Sequence, residues 1–194
     1  MTTRNCVRRM CLATALALLS ESCYRPSYQP ALYDGAERLI DGPYFEYQKS
    51  RTDCGVAAAV MMLRLNGREA RYGTLRHEVT LSRDGLSLAQ LRQLMLRNRL
   101  PVRGVKVDPS ALDDAALPLI AWLPTHHVIV LEEITSASAV VSDPGRGRWK
   151  VSRARLSRAW DGTALVPVRA GSRVSLARMR SDTAPKHLTR GSYP

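Results

Sequence analysis

The two long helical patterns of this chain lie before residue 100 and its strand patterns lie after it, a separation that constrains the fold more than any other feature. Cys54 opens an apolar run to Leu63 that reads as a buried helix over 54–66, closed by Gly67 where a left-handed cap is wanted. Leu75 to Val79 reads as a short helical turn. Ser87 to Asn98 is amphipathic, with Ser87 as N-cap and Leu88, Leu91, Leu94 and Met95 on one face. Strand patterns follow at Val102–Val107, Leu117–Leu123, His127–Glu132, Ala139–Ser142, Trp149–Ser152 and Ala164–Val168, the last closing the sheet. Asp108-Pro109, Pro124 and Asp143-Pro144-Gly145 mark turns, and Arg153–Trp160 reads as one or two helical turns. Helices first and antiparallel strands afterwards predict an α+β domain, a helical half packed on a sheet half.

The N-terminus reads as an export signal: Arg4, Arg8 and Arg9 precede a nine-residue apolar stretch, Cys11 to Leu19. Nine residues are too few to span a bilayer. A cysteine soon after the apolar stretch suggests a lipoprotein signal over 1–23, in which Cys23 becomes the acylated first residue and the membrane anchor, although Ser20 stands where leucine is expected. The expected location is the bacterial cell envelope. Residues 24–43, rich in Tyr, Pro and Gly, read as an irregular leader to a domain over 44–169, and 170–194 as a basic, poorly ordered tail. The net charge of +12 has no nucleic-acid motif beside it, and with Phe45 the only Phe there is no stacking platform, so no nucleic-acid partner is expected.

Three of the four cysteines lie in the first 23 residues, which leaves Cys54 alone in the body of the protein. A thiol at a helix N-terminus faces unpaired backbone N–H groups and the positive end of the helix dipole, the setting of a nucleophile rather than of half a disulfide. Cysteine catalysis also needs an imidazole, a group to orient it, and donors for the oxyanion. His127 begins one strand and Asp143 ends the next, so a hairpin returns Asp143 to the His127 ring. Gln48, six residues before Cys54, can set its side-chain amide beside the Cys54 N–H. Taken singly each of these residues has an ordinary structural role open to it; together they outline a thiol hydrolase. Outside the N-terminus only Cys54, His77, His126, His127 and His187 are soft metal ligands, and none has zinc-ligand spacing, so no metal or other cofactor is expected.

At these residues the chain resembles the C39 peptidases, the double-glycine leader peptidases of bacteriocin and peptide exporters. The resemblance runs over about residues 44–168. It comprises Gln48 with Asp53-Cys54-Gly55, Gly85-Leu86-Ser87-Leu88, Pro118 to Ala121, the strand from His127, Asp143-Pro144 with Gly147, and Trp160 with Gly162. It implies a papain-like fold with Cys54 as nucleophile, His127 as general base and acid, Asp143 as orienting group and Gln48 in the oxyanion hole. The implied substrate is a peptide with small residues before the cut. Val128 stands where the family usually has an aromatic residue, and His126 precedes the matching histidine, so the assignment could slip by one. No phosphate-loop motif or transmembrane domain follows, so any ABC-type exporter is expected as a separate partner. A non-cleaving peptide-binding protein, or a papain-like hydrolase or transferase acting on another envelope or host substrate, would use the same residues.

Overall fold

The computed structural model describes residues 30–110, 112, 117–168 and 179–180. The expected signal over 1–23, Cys23 and most of the basic tail lie outside the described residues. Helix α1 is Pro30–Tyr33 and strand β1 is Glu37–Arg38. Helices α2 (Cys54–Leu65), α3 (Tyr72–His77) and α4 (Leu88–Arg97) follow. The strands are then β2 (Val102–Val107), β3 (Leu119–Leu123), β4 (His127–Ile134), β5 (Ser138–Asp143) and β6 (Gly147–Ser152). Helix α5 (Arg153–Ala159), β7 (Thr163–Pro167) and β8 (Met179–Arg180) complete the described chain.

Local chemistry sets the helix ends. Buried on every side from Gly55 to Leu63, α2 stops at Asn66, and Gly67 takes φ +70°, the left-handed turn the sequence predicts. Helix α4 opens on a capping box: Gln90 N–H donates to Ser87 Oγ at 3.2 Å, and Ser87 N–H to Gln90 Oε1 at 2.9 Å. The short helix expected over 75–79 is instead Tyr72–His77. Of its residues only Leu75 is buried, so core packing does little to fix its ends.

All strand pairs are antiparallel, in the order β1-β6-β5-β4-β3-β7-β2-β8. Strand β7, expected to close the sheet, lies inside it between β3 and β2. Alternation along the strands divides the apolar residues between two cores. On one face Ile120, Val128, Val130 and Leu165 meet α2, α3 and α4. On the other, Leu119, Ala121, Ile129, Leu131 and Val141 meet Leu32, Tyr33, Leu156 and Trp160. The helical half therefore covers one face only, and α1 and α5 pack together against the opposite face. Within the stretch expected to be irregular, α1 enters this core and β1 pairs with β6.

Candidate active site

Register brings the first two groups together. Leu123 pairs with His127 across a tight β3–β4 turn, in which His126 N–H donates to Leu123 O at 3.1 Å. Val130 pairs with Ser142, which sets Asp143 opposite Ile129 and on the same face as His127, one diagonal away. The His127 Nε2 lies 2.7 Å from Asp143 Oδ1. His126 takes φ +57° in the turn and is exposed, with its ring edge-on to Trp122. It is His127, therefore, that pairs with Asp143. Val128 turns to the other face and packs in the helical core.

Cys54 reaches the same place from α2. Asp53 occupies the N-cap position but makes no side-chain cap. Its buried carboxylate turns back to accept the backbone N–H groups of Lys49 (3.2 Å) and Ser50 (3.0 Å) and the Tyr72 hydroxyl. The loop that carries Gln48 is thereby tied to the N-cap of α2. Gly85 takes φ +82° against this loop, and a β-carbon there would stand 2.5 Å from Thr52 O. The partly buried Cys54 thiol is free and lies close enough to the His127 ring to help raise its pKa. With Nε2 on Asp143, Nδ1 is the ring nitrogen left for the sulfur.

Burial alone would depress the His127 pKa. Hydrogen bonds to Asp143 and Cys54, with the charges of both, outweigh burial and raise it to about 10. Burial pushes Asp143 the other way, and the His127 contact outweighs it and holds the carboxyl below its ordinary range. Asp143 is 2% exposed, and three donors reach it: His127, the Gly145 N–H at 2.8 Å on Oδ1, and the Tyr33 hydroxyl at 2.6 Å on Oδ2. Tyr33 escapes a reading of the sequence, because it lies 110 residues from Asp143 in a stretch without periodicity.

Gln48 is placed differently. Its N–H donates to Pro144 O at 2.9 Å, which fastens it to the turn after Asp143. The side-chain Nε2 donates to Ser50 O at 2.8 Å, while Oε1 is buried without a partner. Cys54, His127 and Asp143 thus meet at one place, with His127 hydrogen-bonded to Asp143. Gln48 stands at its edge with its amide turned onto its own loop.

The peptidase C39 family matches residues 43–172, and the chain belongs to that family. Similar proteins include the lactococcin-G-processing and transport ATP-binding protein LagD of Lactococcus lactis subsp. lactis, 26% identical over 127 residues, 62% of this chain and 18% of LagD. Another is the colicin V secretion/processing ATP-binding protein CvaB of Escherichia coli, 27% identical over 119 residues, 61% of this chain and 17% of CvaB. The chain thus spans under a fifth of the length of these relatives. Among solved structures, a double glycine motif protease from an AMS/PCAT transporter, in complex with the leader peptide, superimposes with a TM-score of 0.59 at 22% identity. That match covers 68% of this chain and 94% of the other. The peptidase domain of Streptococcus ComA, a bifunctional ABC transporter of a quorum-sensing pathway, gives 0.58 at 18% identity, covering 66% and 100%. The α+β fold is therefore that of the papain-like peptidase domains.

Proposed function

We propose that this protein is a cysteine endopeptidase that cuts after a double-glycine-type leader of an exported peptide. The observation that carries the proposal is the 2.7 Å His127–Asp143 contact beside the Cys54 thiol, which opens a buried helix. In this reading His127 Nδ1 holds the thiol proton, and Cys54 Sγ attacks the scissile carbonyl carbon. His127 then gives the proton to the leaving amine, and water hydrolyses the thioester. Asp143 keeps the ring in the tautomer and orientation both steps need. The Cys54 N–H, in the first turn of α2, and the Gln48 amide supply the oxyanion donors. Gln48 Nε2 has two hydrogens and spends one on Ser50 O, so the second is free for the oxyanion. The relatives that process bacteriocins and the protease solved with a leader peptide support the leader class of substrate.

The test is direct. Incubated with a panel of double-glycine leader peptides and read by mass spectrometry, the protein is expected to cut after the small-residue pair. Cys54→Ala is expected to lose at least about a thousandfold of that activity. Cleavage that survives the substitution would defeat the reading, and equal peptide binding by both forms without cleavage would favour a binding protein. The same reading places the protein in the cell envelope, on the support of the basic and apolar N-terminal pattern before Cys23. The mass of the mature N-terminal peptide checks this: an unmodified Met1 start would count against it.

A further inference from the structure

The family match begins at residue 43, yet the chain ahead of it is built into the domain. Leu32 is fully buried in the core that also holds Leu156 and Trp160. Strand β1 pairs Glu37 with Lys150 and Arg38 with Trp149 at the edge of the sheet. Beyond it, Leu39 N–H donates to Arg148 O, and Asp41 accepts the Arg148 N–H and pairs with Arg38. Residues 30–42 are thus pinned along β6, the strand that follows the Asp143 turn.

Tyr33 is the point at which this segment meets the reacting groups. Both oxygens of the Asp143 carboxylate are engaged: Oδ1 accepts from His127 and from Gly145, and Oδ2 accepts from the Tyr33 hydroxyl at 2.6 Å. Without that hydroxyl, Oδ2 would be a buried carboxylate oxygen lacking its donor, and the carboxyl would be released to turn about χ2. Such a turn carries Oδ1 away from the imidazole. We propose that Tyr33 is a positioning residue that fixes Asp143, and through it the His127 ring, and that residues 30–42 are a strap laid over the shared peptidase core for that purpose. This inference rests on the Cys54–His127–Asp143 reading above.

Tyr33 could instead serve only as core packing, and its ring is well packed. Its centroid lies 5.5 Å from that of Trp149, and the Arg146 guanidinium sits 5.1 Å above it. Tyr33→Phe separates the two roles, since it keeps the ring and removes only the hydroxyl. In the full chain this variant should keep the wild-type melting temperature within a few degrees. Its kcat on a Gly-Gly leader peptide should fall about tenfold, with KM held within about twofold. The Asp143 carboxyl, followed by 13C NMR, should titrate at higher pH than in the wild type, a change that core packing alone does not produce.

Wild-type kcat and an unmoved Asp143 titration in Tyr33→Phe, while Cys54→Ala is inactive, would overturn the role of Tyr33 and leave the peptidase reading standing. If the wild type cuts none of the peptides, the leader-peptidase reading fails first. The Asp143 titration then decides the hold of Tyr33 alone: a shift upholds it, and no shift overturns it.

Discussion

The two halves of the site differ in how completely their polar atoms are engaged. On the sheet side, the Asp143 carboxylate receives three donors, and the His127 ring lies between that carboxylate and the Cys54 sulfur. On the loop side, Gln48 Oε1 is buried with no partner, and its Nε2 bonds its own loop at Ser50. The sheet half is held by register, which a strand pair enforces over its whole length. The loop half is held by the Gln48 N–H on Pro144 O and by the Asp53 carboxylate, which accepts from loop N–H groups and from Tyr72. In the proposed reading the acid–base pair is therefore set before substrate arrives, whereas the oxyanion donors are completed by it.

The largest test of this contrast sets one substitution in each half side by side. Asp143→Asn should lower kcat/KM on a leader peptide by about a thousandfold, because the ring loses both its charge partner and its fixed tautomer. Gln48→Ala should cost roughly ten- to a hundredfold, mostly in kcat, since the Cys54 N–H remains as an oxyanion donor. Steady-state kinetics on one peptide decides between them. Equal losses from the two substitutions would mean that the loop half is as rigidly set as the sheet half, and the contrast would fall.

The same contrast explains what could be read from the sequence. Cys54, His127 and Asp143 were legible because their relation is local: a helix start, a strand start, and a hairpin short enough to count across. The Ser87 N-cap of α4 and the Gly67 turn were legible for the same reason. The place of β7 between β3 and β2 was not, because the choice of strand neighbour depends on packing between distant segments rather than on pattern within one. Tyr33 fell outside for a similar reason. A Tyr- and Pro-rich stretch has no period to reveal a buried face, and the contact with Asp143 crosses 110 residues. The sequence sets the Gln48 amide near Cys54, but no pattern reports the Ser50 carbonyl that takes one of its hydrogens.

A smaller effect sharpens the comparison through stability, and its sign follows from the titrations. His127 has a folded pKa of about 10 against an ordinary value of 6.5. Its contribution to stability is therefore complete below about pH 6.5 and is lost as the pH rises through about 10. Asp143 is lowered from 3.8, so its contribution is complete above about pH 3.8 and is lost as the pH falls through its depressed folded value. Both describe one buried contact, to be counted once, and together they give a plateau between about pH 4 and 6.5 with an alkaline decline. Melting temperatures measured from pH 4 to 10.5 should show a decline of several degrees on the alkaline side. Asp143→Asn should flatten much of that decline, because the principal group that raises the His127 pKa is gone. Gln48→Ala should leave the shape of the curve alone, since Gln48 is not among the groups that set the His127 or Asp143 titration. An alkaline decline of equal size in Asp143→Asn would show that other groups govern stability there, and that the sheet half is held by packing rather than by charge.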